Sequence, residues 1–436
     1  MSPAAIPEEL VVLLQGRVAG MLRRATGGSH TFEYHDAWRN DPDAFPLSLA
    51  LPLAGRVHEG ASVTYYLRGL LPDSEPRLNA IAHRYGVPAD DPFAILAHIG
   101  EDCPGAVQFS PPERLPYLEG GGPATIEWLR EQDVAELLRE LSRENASAGP
   151  VVTTGQFSLP GALAKTALAW DDTSKRWGRP TGRAATTHIL KPPLRGVPFH
   201  NEIEHLSLEL ARQVGCPAAT SVVLHVEDQT AISVERYDRE RRGNTIFRLH
   251  QEDLSQALGM NPRLKYVSEG AAGIPQVVRL LRDHSARGGE DVYAFLRAVA
   301  FNWVIAGTDA HPRNYSVLIR PRGDVSLAPL YDLASALLLE TRMSPDELPF
   351  AMSVAGRRTL GEINRAAWEE QAREVRLDPA RVIHAIDDLL QQVISGISAV
   401  ASAGVERGVD EKFAARFARR IRSRATACAR ELGRKS

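Results

Sequence analysis

Asp309 and Asn314 stand five positions apart in the run FNWVIAGTDAHPRNYSVL (301–318), directly after an apolar, helix-like stretch. A D-x-x-x-x-N spacing puts two oxygen-bearing side chains on one loop. The Asp can take the proton of an attacking hydroxyl while the Asn holds a magnesium ion. A second carboxylate, Asp332, follows after YSVLI, a turn and VSLAPLYD, and a hairpin that returns the chain to its start can bring Asp332 to Asn314. One Asp as base with an Asn/Asp pair on Mg²⁺ is the minimum set for moving the γ-phosphoryl group of ATP. Taken singly, Asp309 and Asn314 also read as capping and turn residues, and Asp332 as the N-cap of a DLASA helix.

Lys191 ends the apolar strand THILKPP, from which its ammonium can reach an α- or β-phosphate; a strand-end lysine is otherwise simply solvated. In SLPGALAKTAL, Pro160 and Gly161 form a turn between strand-like segments whose backbone N–H groups can cover phosphates. It lacks the G-x-x-x-x-G-K-[ST] pattern of a Walker loop. Glu202, in the first turn of the NEIEHLSLELARQVG helix, is a partner for Lys191 or an ordinary helix-dipole carboxylate. Glu235, Arg236 and Tyr237 end another strand, where the backbone suits an adenine-binding hinge. His311 raises the rival idea of a hydrolytic metal site, but the other histidines form no ligand cluster around it. G-x-S-x-G is missing, so a Ser-His-Asp hydrolase is unsupported.

The elements that must position these residues follow from pattern. Residues 9–110 read as a small mixed domain: ELVVLLQGRVAGMLRR and HTFEYHDAW as paired strands, PRLNAIAHRYGV and DPFAILAHIG as short helices, LLPDSEP as the turn between them. LEGGGPA (118–124) reads as a linker, TIEWLREQDVAELLRELSREN as a helix, and SAGP (147–150) as its stop. Strand-like VVTTGQFSL, KTALAW, THILKPP, SVVLHV and AISVERY occupy 151 to about 240, broken by the helix that Gly215 ends. Beyond 250 the chain reads as mostly helical, from QEDLSQALG to the long tail after 378. YSVLIRPRGDVSLAPLYDLASA is the exception, two strands and a helix start. A strand-rich half followed by a helical half is the plan of a two-lobed enzyme with a cleft between lobes.

Composition narrows the class. The chain has 436 residues, room for two or three domains, and is 44 % hydrophobic. Lys+Arg of 51 against Asp+Glu of 54 leaves a net charge of −3, so no chain-wide excess draws polyanions. The three cysteines, Cys103, Cys216 and Cys428, are odd in number and far apart, which speaks against a disulfide framework or a zinc site and for a reducing compartment. No apolar run approaches a membrane span, and the reading is a cytoplasmic protein without a membrane partner. The tail EKFAARFARRIRSRATACARELGRKS carries nine Lys/Arg against two Glu, with Phe413, Phe417 and Ile421 at helical spacing. That is a surface helix docked by one apolar stripe, or a basic face near DNA phosphates.

The ordered series FSLPGALAKTAL, THILKPP, NEIEHLSLELARQVG, VERYDR, RLHQEDLSQALG, NWVIAGTDAHPRNYSVL and LAPLYDLASA resembles the HipA family of serine/threonine kinase toxins over nearly the whole chain. The resemblance implies an α+β, protein-kinase-like two-lobed fold: an N-terminal subdomain at 1–112, a mixed N-lobe at 113–248 and a helical C-lobe at 249–436. It implies Asp309 as catalytic base, Asn314 and Asp332 as Mg²⁺ ligands and Lys191 as a phosphate ligand. Pro160, Gly161, Ala162, Leu163, Ala164 and Lys165 would form the nucleotide-covering loop, with Leu163 where many relatives have Gln. Glu235, Arg236 and Tyr237 would form the adenine hinge, with His311 beside the phosphates and Tyr331 also among the nucleotide-binding residues. Ser158 occupies the place of the serine that family members autophosphorylate. Added phosphate there would put roughly −1.5 to −2 charges into a loop that must receive ATP. The resemblance further implies a toxin that phosphorylates an aminoacyl-tRNA synthetase, partnered by a HipB-like helix-turn-helix antitoxin and, through it, by operator DNA. The alternatives are a corepressor or scaffold with weak kinase activity, and a kinase of small molecules or lipids.

Overall fold

The computed structural model describes residues 6–24, 28–119, 124–145, 158–243, 245–339 and 343–433. Of the expected features, linker residues 120–123, the helix stop at 147–150 and most of the strand VVTTGQFSL lie outside them. The chain divides into two compact units, each assembled from three stretches: residues 1–195, 224–263 and 317–324 in the first, and 196–223, 264–316 and 325–436 in the second.

Two larger sheets lie in the first unit, with antiparallel pairs such as Glu9–Leu14 against Arg17–Arg24 and Thr166–Asp171 against His188–Lys191. In one, β1 (Glu9–Leu14), β2 (Arg17–Arg24), β3 (His30–Tyr34), β4 (Val57–Glu59) and β5 (Val107–Ser110) are ordered β4-β3-β2-β1-β5. Gln15 and Gly16 both take positive φ (52° and 73°), the two-residue turn whose twist matches its strands. The expected helices form at Glu75–Tyr85 and Pro92–Ile99, capped by Ser74 and Asp91. A further helix at Ala61–Gly69 was not foreseen.

The other sheet runs β10-β11-β9-β7-β8-β6. Its strands are β6 (Ala124–Trp128), β7 (Thr166–Asp171), β8 (Arg176–Gly182), β9 (His188–Lys191), β10 (Ser221–Val226) and β11 (Gln229–Glu235). TIEW belongs to β6, paired with β8, because the helical stripe begins only after Leu129; the helix proper is Glu131–Asn145. That helix buries Val134, Leu137, Leu138 and Leu141 in one cluster with Leu168, Leu190 and Ala231 of the sheet. The hairpin of β12 (Arg239–Arg242) and β13 (Thr245–Arg248) follows. QEDLSQALG departs from the expected helix: His250–Asp253 is a strand, β14, and only Leu254–Ala257 turns helical, capped by Asp253 and Gln256. β14 pairs with β15 (Ser316–Arg320).

Helices dominate the second unit: His200–Gln213, Ile274–His284, Gly288–Ile305, Arg365–Glu374, Pro379–Glu406 and Glu411–Gly433. It also contains the short strands β17 (Pro349–Val354) and β18 (Arg357–Thr359), and β16 (Asp324–Leu327) leads into it. Gly288–Ile305 is its central helix, with Phe295, Phe301 and Trp303 almost fully buried and Trp303 edge-on to Trp368 at 5.9 Å. The basic C-terminal helix docks as its pattern foretold: Phe413, Phe417 and Ile421 are buried, and Phe413 stacks on Phe199 with centroids 4.3 Å apart. Among the described residues no helix is long and apolar enough to cross a membrane.

Candidate functional site

The run after the central helix of the second unit ends its helical course at a left-handed Ala306 (φ 55°). Gly307 then returns its N–H to the Asn302 carbonyl at 2.7 Å. Only glycine fits there, because a Cβ would collide with the Asn302 side-chain oxygen. Asn302 is itself fixed by Tyr315, whose hydroxyl accepts from its Nδ2 at 3.0 Å. The loop beyond closes on itself. The Asp309 carbonyl accepts from the His311 N–H at 2.8 Å and from Asn314 Nδ2 at 2.7 Å, while the Asn314 N–H reaches the His311 carbonyl at 2.8 Å. These bonds turn D-x-x-x-x-N from a spacing into one knot of backbone. The Asn314 amide nitrogen is tied inward and its oxygen is left for another partner. The Asp309 side chain stands 71 % exposed, and His311 is buried with its Nε2 3.9 Å from Asp309 Oδ1.

Asp332 comes back to this loop by the route the hairpin suggested. Ala328 donates to the Ser316 carbonyl at 2.9 Å, closing the hairpin base, and Tyr331 donates its hydroxyl to the carbonyl of Arg313, next to Asn314, at 2.9 Å. On the other side, the Ser335 hydroxyl bonds the Ile305 carbonyl and the Ala336 N–H bonds the Ala306 carbonyl at 3.0 Å. Asp332 is therefore pinned between anchors at both ends of the catalytic-type loop. It does not cap a helix: Asp332 is exposed with φ 53°, and the helical turn next along the chain is a 3₁₀ turn at Ala336–Leu338 capped by Ser335. A left-handed non-glycine residue at such a point is backbone strain held by its surroundings. The same loop contains a contact that spacing could not reveal. The Tyr266 hydroxyl donates to Asp309 Oδ1 at 3.0 Å, and its ring meets His311 edge-on, centroids 6.0 Å apart. Burial, then the Asp309 carboxylate, pushes the Tyr266 hydroxyl up to about 12.

In the first unit the 158–165 segment is held by the N-terminal residues. Ser158 is buried, its N–H on the Asp102 carbonyl at 3.0 Å and its hydroxyl on the Leu70 carbonyl at 2.6 Å. Gly161 adopts φ 116° and accepts from the Asp73 N–H at 3.1 Å, forming a bridge with Pro72. The Ala164 N–H is taken by Asn145 Oδ1 at 2.7 Å. Arg77, paired with Glu144 at 2.9 Å, donates to the Lys165 carbonyl at 3.2 Å. The Lys165 ammonium lies so close under Gly161 that a Cβ there would strike it. Pro160 and Leu163 are half-buried, Ala162 is exposed and Ala164 is buried.

Lys191 ends β9 opposite Ile232 of β11 and is 7 % exposed. In the second unit Glu202 is half-buried; the fully buried carboxylate of its helix is Glu204, which the sequence reading passed over. Glu235 is exposed at the end of β11, and Tyr237 donates to Gln251 Oε1 at 2.8 Å. Arg236 differs from the other hinge residues. Its amide serves the Thr187 carbonyl, and its guanidinium is buried on Asp238, Thr186 and the Cys103 carbonyl. Arg239 and Arg248 join it around Asp102 at 2.8 and 3.3 Å. Burial alone would raise Asp102, but the Arg239, Arg248 and Arg236 charges around it hold it well below the usual carboxylate range. Three guanidiniums thus meet two carboxylates, and burial, then Arg236, pushes Arg239 down to about 10.

Two family descriptions match the chain: the HipA N-terminal domain over residues 10–110 and the HipA-like C-terminal domain over 157–397. "Putative kinase Y4mE" of Sinorhizobium fredii is 33 % identical over 419 residues, 95 % of this chain and 97 % of that protein. The serine/threonine-protein kinase toxin HipA of Shewanella oneidensis is 28 % identical over 336 residues, 72 % of each. A chain of the solved Shewanella oneidensis MR-1 HipA, HipB and operator DNA complex superposes with a TM-score of 0.80 at 20 % identity, covering 97 % of this chain and 98 % of that one. The self-closed loop at 309–314 and the strapped loop at 158–165 thus lie on a known fold, and the chain belongs to the HipA family.

Proposed function

We propose that this protein is an ATP- and Mg²⁺-dependent protein serine kinase, the toxin of a toxin–antitoxin pair. The observation that carries the reading is the loop knotted by Asn314 and His311 on the Asp309 carbonyl, which leaves the Asp309 carboxylate exposed with Asp332 anchored alongside. In this reading Asp309 accepts the proton of a serine hydroxyl as its oxygen attacks the γ-phosphorus and the bond to ADP breaks. The Asn314 amide oxygen and the Asp332 carboxylate are hard oxygen donors, the type Mg²⁺ takes in ones and twos beside substrate phosphates, so the residues fit that ion. Mg²⁺, when bound, neutralises charge on the phosphates. Lys191, Lys165 and the 160–165 backbone serve the phosphates. Glu235 and Tyr237 flank the adenine, with Arg236 holding their strand end in place from below. His311 and Tyr331 act at the nucleotide by keeping the loop closed.

The finer reading follows the family. The acceptor is an aminoacyl-tRNA synthetase, Ser158 is the site of self-phosphorylation and inactivation, and a HipB-like helix-turn-helix antitoxin restrains the enzyme and brings it to operator DNA in the cytoplasm. Residues 1–112 act as the subdomain that straps the loop, 113–248 as the N-lobe and 249–436 as the C-lobe. A solved relative bound to HipB and DNA supports the partner class. The test is incubation of purified protein with Mg²⁺ and labelled ATP beside Asp309→Asn, with mass spectrometry of the Ser158 peptide. Phosphate on Ser158 in the parent and none in the variant is expected. Failure of folded parent protein to bind ATP would instead make it a corepressor.

A further inference from the structure

Asp309 poses a positioning problem. Its side chain is 71 % exposed, so packing does little to fix its rotamer, yet a general base must present one oxygen along one line to the acceptor hydroxyl. His311, at 3.9 Å, is too far for a hydrogen bond. The Tyr266 hydroxyl, donating at 3.0 Å to Oδ1, is within reach.

Tyr266 is itself held rigidly. Its carbonyl accepts from the N–H groups of Glu269 (2.8 Å) and Ala271 (3.1 Å), and the Glu269 carboxylate accepts from the N–H groups of Lys265 (3.2 Å) and Tyr266 (3.4 Å). Gly270 closes this turn at φ 100°, and the ring rests edge-on against buried His311. The turn fixes where the Tyr266 side chain leaves the backbone, and its 36 % exposed ring is aimed by the His311 contact and the bond to Asp309. We infer that Tyr266 is a positioning residue for the catalytic base: it clamps Asp309 Oδ1 and thereby aims Oδ2 at the acceptor hydroxyl. A hydroxyl pushed up to about 12 stays protonated at neutral pH and remains a donor throughout the working range. Tyr266 gives up no proton in the reaction and needs no contact with ATP.

The inference rests on the kinase reading, and the experiment separates the two. Tyr266→Phe keeps the ring on His311 and removes only the donor. Single-turnover phosphorylation at saturating ATP is compared for the parent, Tyr266→Phe and Asp309→Asn, with ATP affinity and melting temperature measured for each. The expected result is a rate constant reduced roughly ten-fold in Tyr266→Phe, with ATP affinity and melting temperature unchanged; a merely structural role would move the last two. An unaltered rate would overturn the inference, and so would a faster one, which would make the tyrosine a competitor for the acceptor position. Full activity in Asp309→Asn would instead sink the assignment of the base, whatever Tyr266→Phe does.

Discussion

In the first unit Asp102, Asp238, Arg236, Arg239 and Arg248 are sealed from water and satisfy one another; in the second, Asp309 and Asp332 face solvent on a loop closed by backbone bonds, with the Tyr266 hydroxyl on Asp309 Oδ1. VERYDR and TDAHPRN look equally promising as sequence, being short, charged and placed at the end of an apolar element. Their environments assign them opposite work. A buried charge cluster fixes structure at high cost if any member is lost. An exposed carboxylate on a rigid loop costs little in stability and is open to a substrate.

That contrast can be broken at either end. Asp309→Asn should lower phosphorylation roughly 10³-fold and leave stability within about 0.5 kcal/mol of the parent, read from initial rates and denaturant melts on the same material. Asp102→Asn should do the reverse, destabilising the fold by about 3–5 kcal/mol because three buried guanidiniums lose their shared anion. A smaller effect concerns the sign of pH dependence. Asp102 is depressed below its ordinary 3.8, so its stabilisation is present above that value and fades as pH falls further. Glu252, buried with the Leu49 N–H at 2.8 Å on Oε1 and Ser48 beside it, is pushed up to about 8 by burial, so its contribution to stability is fully present below its ordinary 4.5 and is lost as pH climbs through 8. Glu252→Gln should therefore match the parent at pH 5 and exceed its stability at pH 8 by on the order of 2 kcal/mol. Smallest is Asp332→Gly, which relieves the positive φ and should gain up to about 1 kcal/mol while raising the Mg²⁺ concentration needed for activity. A gain in stability with no change in Mg²⁺ dependence would remove Asp332 from the metal site.

What was legible followed from sequence distance. Asp309 and Asn314 form a local turn, and Asp332 returns by a hairpin, so spacing alone could pair them. The DLASA helix failed because tertiary ties at Tyr331 and Ser335 hold Asp332 left-handed, outside the reach of local propensity. Tyr266 was invisible because its bond to Asp309 spans 43 residues with no periodic signal. The burial of Arg236 was equally hidden, since its cluster depends on Asp102 and Cys103 far upstream. TIEW and QED were misplaced for a simpler reason: four or five residues alternate too briefly to be told from the start of a helix.

The interleaving of the two units has a consequence for biosynthesis. A ribosome that has delivered residue 253 has made β14 but not its partner β15, which begins 63 residues later and follows the 309–314 loop in sequence. At roughly 5–20 residues per second that gap lasts several seconds, during which the strand edge stays open. Neither unit can be completed before residue 324 has emerged, and the second waits for the C-terminal helices. Chains ended early by a broken message hold the loops but not the scaffold that knots and straps them. The connectivity ties completion of the second unit to synthesis of its C-terminal helices.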